Sequence, residues 1–480
     1  MTMRATKLRL LPALLAALLV AGCNMGPNFE EPVVAVPDSY RTPVQTIDAT
    51  AELEWWRLFD DPLLVELIET ALQHNRNVMI AASRIEQARA ALGFSEAESY
   101  PRLDVEAGYN RGTFTGSGIS SSTNTNTYLV APLSWEIDFW GKFRRGDAAA
   151  RAELIASDFG HRTVQLTLVT EVVFGYYELL DFHRRLDISR RTLASRDDSL
   201  DIIRERFDKG IISELDVNQA EIQREIAAAS VPVYLRAIAK AENGLSVLLG
   251  RLPNAVRVPR DLGIGMVPPD IPPGVPADIL ERRPDILEAN FRLRAQTQNI
   301  GIAEALRWPS ISLTGAVGVA RTELDSVTID GDVWSIGGQL FGPIFNWGQN
   351  QRRVEIEEEI TRQFLFEFED TVLNAFREVE DALVEIETYR DELAAVKRQF
   401  EAADNANRLS LQRYDKGVSS YLEVLDSERT LFSTALRQSE TQQLYLAAFV
   451  KLYKSLGGGW VTQADRDWLE EYRQTPQGQL

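Results

Sequence analysis

Apolar residues recur along this chain with two periods. Leu64, Ala71, Val78, Ile85 and Leu92 stand seven apart. Val172, Leu179, Leu186, Leu193, Leu200 and Phe207 hold the same spacing, as do Val372, Val379, Ile386, Leu393 and Phe400. A sustained seven-residue repeat marks long helices that wind left-handed around their neighbours. Proline agrees: none stands between Pro132 and Pro232, or between Pro343 and Pro476. A helix over residues 143–209 is predicted, roughly 100 Å long at ~1.5 Å per residue. Gly210 and Gly417 are placed to end such helices, and Ser213 and Ser420 to begin the next ones. Pro232 is expected to kink the helix that holds it.

The second period is two. Leu103, Val105, Ala107 and Tyr109 alternate with polar or small residues, and Leu129, Ala131, Leu133, Trp135 and Ile137 form one face of the next segment. Ile311, Leu313, Val317 and Val319 repeat the pattern, then Trp334, Ile336, Leu340 and Ile344. These segments predict four strands, each long enough to cross a bilayer when tilted. Between them, residues 112–124 and 321–332 read as polar loops. At the opposite strand ends stand Tyr100, Trp135, Phe139, Trp140, Trp308, Phe345 and Trp347, in the manner of a membrane-interface girdle. A half-buried soluble sheet would show the same alternation.

The chain also repeats itself. RFDKG at 206–210 returns as RYDKG at 413–417, an offset of 413 − 206 = 207. Tyr100-Pro101 returns as Trp308-Pro309, and Trp140-Gly141 as Trp347-Gly348, at the same offset within one residue. The organisation read from this is a leader over 1–22 and an extended segment over 23–60. A first repeat follows over 61–250, a Pro/Gly-rich linker over 251–277, a second repeat over 278–456 and a tail over 457–480. Each repeat reads helix, two strands, long helix, helix.

Composition narrows the function. Asp and Glu number 70 against 51 Lys and Arg, a formal charge of −19, which argues against a nucleic-acid partner. One Cys and three His leave no disulfide framework and no Cys-rich metal site. No phosphate loop, HExxH or GxSxG run occurs, and His74, His161 and His183 lack ligand partners at metal spacing. An enzyme is not expected: no catalytic residue, metal or cofactor is assigned. The single Cys, Cys23, follows Arg4, Lys7, Arg9, an apolar run of about a dozen residues and Leu19-Val20-Ala21-Gly22. That run is too short to span a bilayer and resembles a bacterial lipobox. A covalent lipid on Cys23 is therefore expected, on a chain exported and tethered.

Four strands cannot close a spanning barrel, which needs about eight or more. A lone sheet cannot leave its edges in lipid. Spanning strands would therefore require several chains to share one barrel, and the heptad helices to assemble into a tube with them.

At this point the chain resembles the outer-membrane factor family of Gram-negative efflux systems, the TolC and OprM type, and most of all its NodT-like lipoprotein branch. The motifs are EWWRLFDDP at 54–62, LSWEIDFWGK at 133–142, LERRPDIL at 280–287, YLEVLDSER at 421–429 and LGGGW at 456–460. The resemblance implies a mixed α and β fold. A homotrimer shares a 12-stranded transmembrane β-barrel, four strands per chain, continuous with a long periplasmic coiled-coil α-helical barrel. It implies a passive exit duct in the outer membrane, reaching into the periplasm. Its partners would be outer-membrane lipid, a periplasmic adaptor (membrane fusion) protein and an inner-membrane pump of the RND type. It further implies a periplasmic gate in which Leu422 and Asp426 form the constriction, while Arg429 and Tyr414 hold the closed state through interhelical contacts. Lys209, Gly210, Lys416 and Gly417 match tips that adaptors grip. The first repeat carries Gln219 and Ile222 where the second has Asp426 and Arg429, so one hairpin per chain holds the acidic gate. Residue by residue the plainer readings are coiled-coil packing for Leu422, a solvated (i, i+3) pair for Asp426 and Arg429, and simple capping for the glycines. A conduit for type I protein secretion, or a periplasmic adaptor or scaffold lipoprotein, are the alternatives.

Overall fold

The computed structural model describes residues 23–41, 54–114, 122–258, 276–324 and 327–475. The expected leader over 1–22, most of the linker and the end of the tail lie outside the described residues. Residues 23–41 lie outside any helix or strand, and the first described turn after them is a 3-10 turn, Trp55–Phe59. Next come α1 (Pro62–His74), α2 (Arg76–Glu98), β1 (Arg102–Leu103), β2 (Glu106–Phe114), β3 (Ser122–Ile137), α3 (Lys142–Asp208) and α4 (Glu214–Leu248). The second set is α5 (Ile279–Arg282), α6 (Pro284–Ala305), β4 (Ser310–Leu324), β5 (Val327–Phe341), α7 (Gln349–Asp415) and α8 (Tyr421–Ser455), followed by α9 (Gln463–Gln474).

The two long helices, α3 and α7, have 67 residues each, and their return helices 35 each. Starts at 142 and 349 give 349 − 142 = 207, the offset seen in the sequence. Each long helix ends on a left-handed glycine, Gly210 at φ +70° and Gly417 at φ +69°. The Gly210 N–H donates to Phe207 O and Ile211 N–H to Arg206 O; Gly417 and Val418 bond back to Tyr414 and Arg413 in the same way. Ser213 opens α4, its N–H and hydroxyl both donating to the Asp216 carboxylate at 3.1 and 2.9 Å. Ser420 occupies the matching place with extended backbone but makes no side-chain cap bond.

Several expectations need correction. The heptad run from Leu64 to Leu92 is two helices, not one. Asn75 between them is extended, and its Oδ1 accepts from the Asn77 and Val78 N–H groups. A side chain that caps the next helix breaks the ladder there, while the apolar seam passes one residue without losing phase. The stretch 321–332 is mostly strand: β4 runs through Leu324 and β5 starts at Val327, with Arg321 opposite Asp330. Likewise Gly112 pairs with Asn124. Backbone pairing continues through polar residues because the ladder bonds do not involve side chains. The fourth strand stops at Phe341, short of Ile344. Within the tail, Leu469 and Tyr472 of α9 are buried with Phe159 and Phe291.

All strands are antiparallel, with β3 and β4 in the centre and β5 at one edge. β1 and β2 lie end to end along β3 and form the other edge. They part at Asp104 and Val105, opposite Pro132, which has no N–H to give the ladder. The sheet is thus four ribbons wide. The main core lies elsewhere, where Trp55, Phe59, Leu64 and Ile68 meet Val169, Val172, Tyr176 and Leu245. Among the described residues no helix is long and apolar enough to cross a membrane.

Candidate functional site: a two-faced sheet and two helix-hairpin tips

Paired residues of antiparallel strands share a face. Following the register across the sheet places Leu103, Ala107, Leu129, Ala131, Leu133, Trp135, Ile137, Ile311, Leu313, Val317, Val319, Trp334, Ile336 and Leu340 on one face. The other face carries Glu106, Asn110, Asn126, Ser134, Glu136, Ser312, Thr314, Thr322, Ser335 and Gln339. The apolar face is uncovered: Trp334 is 77% exposed and Ile336 84%. On β3 it runs from Leu129 to Ile137, roughly 27 Å along the strand and about 20 Å along a membrane normal at ~40° tilt. Asp332 lies opposite Val319, and beyond Leu129 and Val319 the same face turns polar, with Arg111, Thr127, Arg321 and Asp330.

The polar face holds its own bonds. Tyr128 donates to Glu106 at 2.8 Å, Thr322 to Asn126 at 3.1 Å, and Lys142 pairs with Glu136 at 2.7 Å. Among the described residues neither edge of the sheet has a partner strand. An apolar face without a cover and two open edges cannot both remain in water or in lipid.

The aromatics assigned from the sequence gather at the end of the sheet that joins the helices. Trp140 stacks on Trp308 with ring centres 4.9 Å apart, Phe139 meets Trp140 edge-on, and Phe345 meets Trp347 at 4.7 Å. The Trp140 Nε1 donates to Pro309 O, and the Trp135 Nε1 to Ser99 O. Tyr100 and Trp308 are exposed beside them. Cys23 is exposed at the same level, its carbonyl accepting from the Arg144 guanidinium.

At the far end of the helices lie the two tips. Lys209 and Gly210 turn α3 into α4, and Lys416 and Gly417 turn α7 into α8; all four are exposed. Leu422, Asp426 and Arg429 stand on the exposed face of α8. Asp426 and Arg429 meet each other, three residues apart on one helix. Among the described residues the ion-pair partner of Arg429 within the chain is Asp426 of the same helix. Tyr414 does bridge helices: its ring lies 5.3 Å from that of Tyr421, and the Arg206 guanidinium of α3 sits over it at 4.9 Å.

Beneath this surface is a cluster whose charged members periodicity did not flag. Leu200 and Ile203 of α3 pack with Ala220 of α4 and with Tyr421, Val424 and Leu425 of α8. Arg196 is buried among them, donating to Gln223 O, with its guanidinium over Phe432. Glu428 faces it. Burial lifts the Glu428 carboxyl above its ordinary range, and Arg196 opposes the shift. Burial also lowers the Arg196 value. This contact joins the first hairpin to the second. A charged residue within a long charged helix carries no signal of its own burial, so the sequence could not point to it.

The likeness to known proteins covers nearly the whole chain. The sequence model described as outer membrane efflux protein matches residues 67–251 and again 275–458. A toluene efflux pump outer membrane protein, TtgI of Pseudomonas putida, is 35% identical over 95% of this chain and 99% of its own length. The cation efflux system protein CusC of Escherichia coli is 31% identical over 92% of the chain and 97% of its own. Among solved structures, the open state of the Neisseria gonorrhoeae MtrE outer membrane channel superposes with a TM-score of 0.78. It is 29% identical, over 91% of this chain and 99% of that one. The two-faced sheet with its open edges and the long paired helices below it are thus the parts of a known channel design, and the chain belongs to the outer membrane efflux protein family.

Proposed function

We propose that three copies of this chain close one 12-stranded barrel in the outer membrane, with their long helices continuing as a tube into the periplasm. The observation that carries this is the sheet: four ribbons, apolar on one face, polar on the other, both edges open. Three such sheets joined edge to edge pair every edge, turn the apolar face to lipid and the polar face to a water-filled lumen. The two halves are read as a duplication of one unit, so each chain contributes two hairpins to the tube.

The duct is passive. A periplasmic adaptor protein and an inner-membrane pump of the RND type supply docking and energy. Relatives are named for toluene, solvent, antibiotic and cation pumps. Such different cargoes through one design support a lumen that passes small molecules and leaves their selection to the pump. Cys23 carries the lipid anchor. Tyr100, Trp135, Phe139, Trp140, Trp308, Phe345 and Trp347 sit at the membrane interface. Leu422 and Asp426 narrow the periplasmic end, where three carboxylates near one axis would repel one another and draw cations. Arg429 and Tyr414 hold that end closed, and the tips at Lys209, Gly210, Lys416 and Gly417 meet the adaptor.

The test is the native mass of the detergent-solubilised particle, with the mass of the Cys23 peptide read alongside. A trimer with acylated Cys23 is expected. A monomer that stays in solution without detergent would leave the four ribbons as a private sheet and end the channel reading.

A further inference from the structure

Residues 23–41 run from the Trp140 end of the sheet past α6 to α9 and to the core where Tyr40 is buried, and one side chain of α3 holds their start. Arg145 is 0% exposed. Its Nε donates to Met25 O at 3.0 Å, its Nη2 to Gly26 O at 3.0 Å and to Asn28 Oδ1 at 3.1 Å, and its Nη1 to Gln298 Oε1 at 2.6 Å. Three of these four acceptors belong to the segment and the fourth to α6. The Met25 N–H donates to Trp140 O at 3.1 Å, closing the other side.

The seat is tight. Gly26 has φ +86°, and a Cβ there would stand 2.4 Å from Gly301 Cα. A Cβ on Gly301 would stand 2.7 Å from Met25 O. Two glycines on separate elements thus let the backbones touch. Farther on, the segment stays fastened. Phe29 lies under the Arg294 guanidinium at 4.8 Å, Glu31 pairs with Arg473 of α9 at 3.0 Å, and Tyr40 is buried.

The repeat supplies an internal control. Arg352 stands 207 residues after Arg145, at the same place in α7, and pairs there with Glu355 as an exposed ion pair. Only the copy that meets the segment is buried. Sequence position alone therefore does not bury this arginine.

We propose that residues 23–41 form a fixed strap. Arg145 is the positioning residue that seats its first turn, and so sets where an acyl chain on Cys23 leaves the protein: at the Trp140–Trp308 end of the sheet. The placement follows from chain length, since Cys23 is two residues from Met25 and can move only a few Å from it. The lipid part rests on the reading of Cys23 as lipidated; the clasp does not.

Hydrogen exchange of the full chain in its native oligomer tests this, with the Cys23 peptide weighed in the same digest. Arg145→Met is expected to speed exchange over residues 24–29 on the order of 100-fold, and Arg145→Lys about 10-fold, while α3 and α6 keep their protection. Gly26→Ala, which leaves Arg145 intact, is expected to match Arg145→Met. Wild-type protection of 24–29 in Arg145→Met, or a loss spread equally through α3 and α6, would overturn the clasp and leave Arg145 as packing. Should Arg145→Met not assemble, Gly26→Ala decides on the same two outcomes. A protected strap with unmodified Cys23 would keep the clasp and retire the lipid; an acylated Cys23 on an unprotected strap would do the reverse.

Discussion

In the proposed barrel, moving one residue along β3 exchanges lipid for lumen. Leu133 is the midpoint of the apolar run from Leu129 to Ile137 and shares the apolar face with Gly315 and Leu103. Ser134 follows it and faces the other way, paired with Thr314. An arginine on the lipid face at the bilayer midplane costs about 2–4 kcal/mol, falling to about 0–1 kcal/mol near the interfaces. Leu133→Arg should therefore cost about 2–4 kcal/mol per chain. Leu129→Arg lies four residues away, roughly 13 Å along the strand, and should cost about 1 kcal/mol or less. Ser134→Arg enters the water-filled side and should be close to neutral. The assay is folding into short-chain lipid vesicles across a urea series, with heat-modifiable migration marking the closed barrel. Equal losses at 133 and 134, or no gradient between 133 and 129, would refute the assignment of faces and with it the shared barrel.

Asp426→Ala with Arg429→Ala should raise single-channel conductance and antibiotic leak several-fold. Because an exposed pair contributes only about 0–1 kcal/mol, the melting temperature should barely move; an unchanged pore would remove both residues from the gate. Gly417→Val and Gly210→Val each force a Cβ into left-handed backbone. A cost of about 1–2 kcal/mol is expected, seen as faster hydrogen exchange at the tip in question, and unchanged exchange would contradict it. Glu428→Gln should alter the pH profile of stability. Burial raises the folded carboxyl value above 4.5, so the wild-type contribution is whole below that pH and is lost as pH rises through the raised value. The glutamine variant should lack that decline and be the more stable form at neutral pH; parallel pH curves would count against a buried Glu428.

The helical frame was open to reading because a helix that winds around neighbours must repeat its apolar residues. Val172 to Leu200 and Val372 to Leu393 do so without a break. The strand faces were legible for the same reason at period two. What escaped was decided by single polar contacts across long separations. Asn75 breaks a helix by capping the next one, which a seven-residue count steps over. Arg145 and Arg196 look like any solvated residues of a charged helix. Their partners, Met25 and Gln298 for one and Gln223 and Phe432 for the other, come from elements that the local pattern does not bring together. The strand ends escaped because Arg321 and Glu323 read as loop while their backbones still paired. The gate assignment came only from family likeness, since among the described contacts of one chain Asp426 and Arg429 do no more than pair with each other.

The pairing of β3 with β4 has a consequence for how the chain reaches this form. Ile137 of one strand lies against Ile311 of the other, 174 residues later. One long helix, α3, with its return helix α4 and then α5 and α6, separates these two strands of one sheet, and Arg473 must arrive before Glu31 finds its partner. Such non-local closure is slow, because the chain entropy is lost before the contacts reward it. The helical hairpins, whose contacts are local, can form early. The apolar ribbons are then the last to find one another, and for that interval they are bare in an aqueous compartment. Capture of the unpaired ribbons, by lipid or by a holding protein, is thus a kinetic requirement of this topology, set by where in the chain the strands fall.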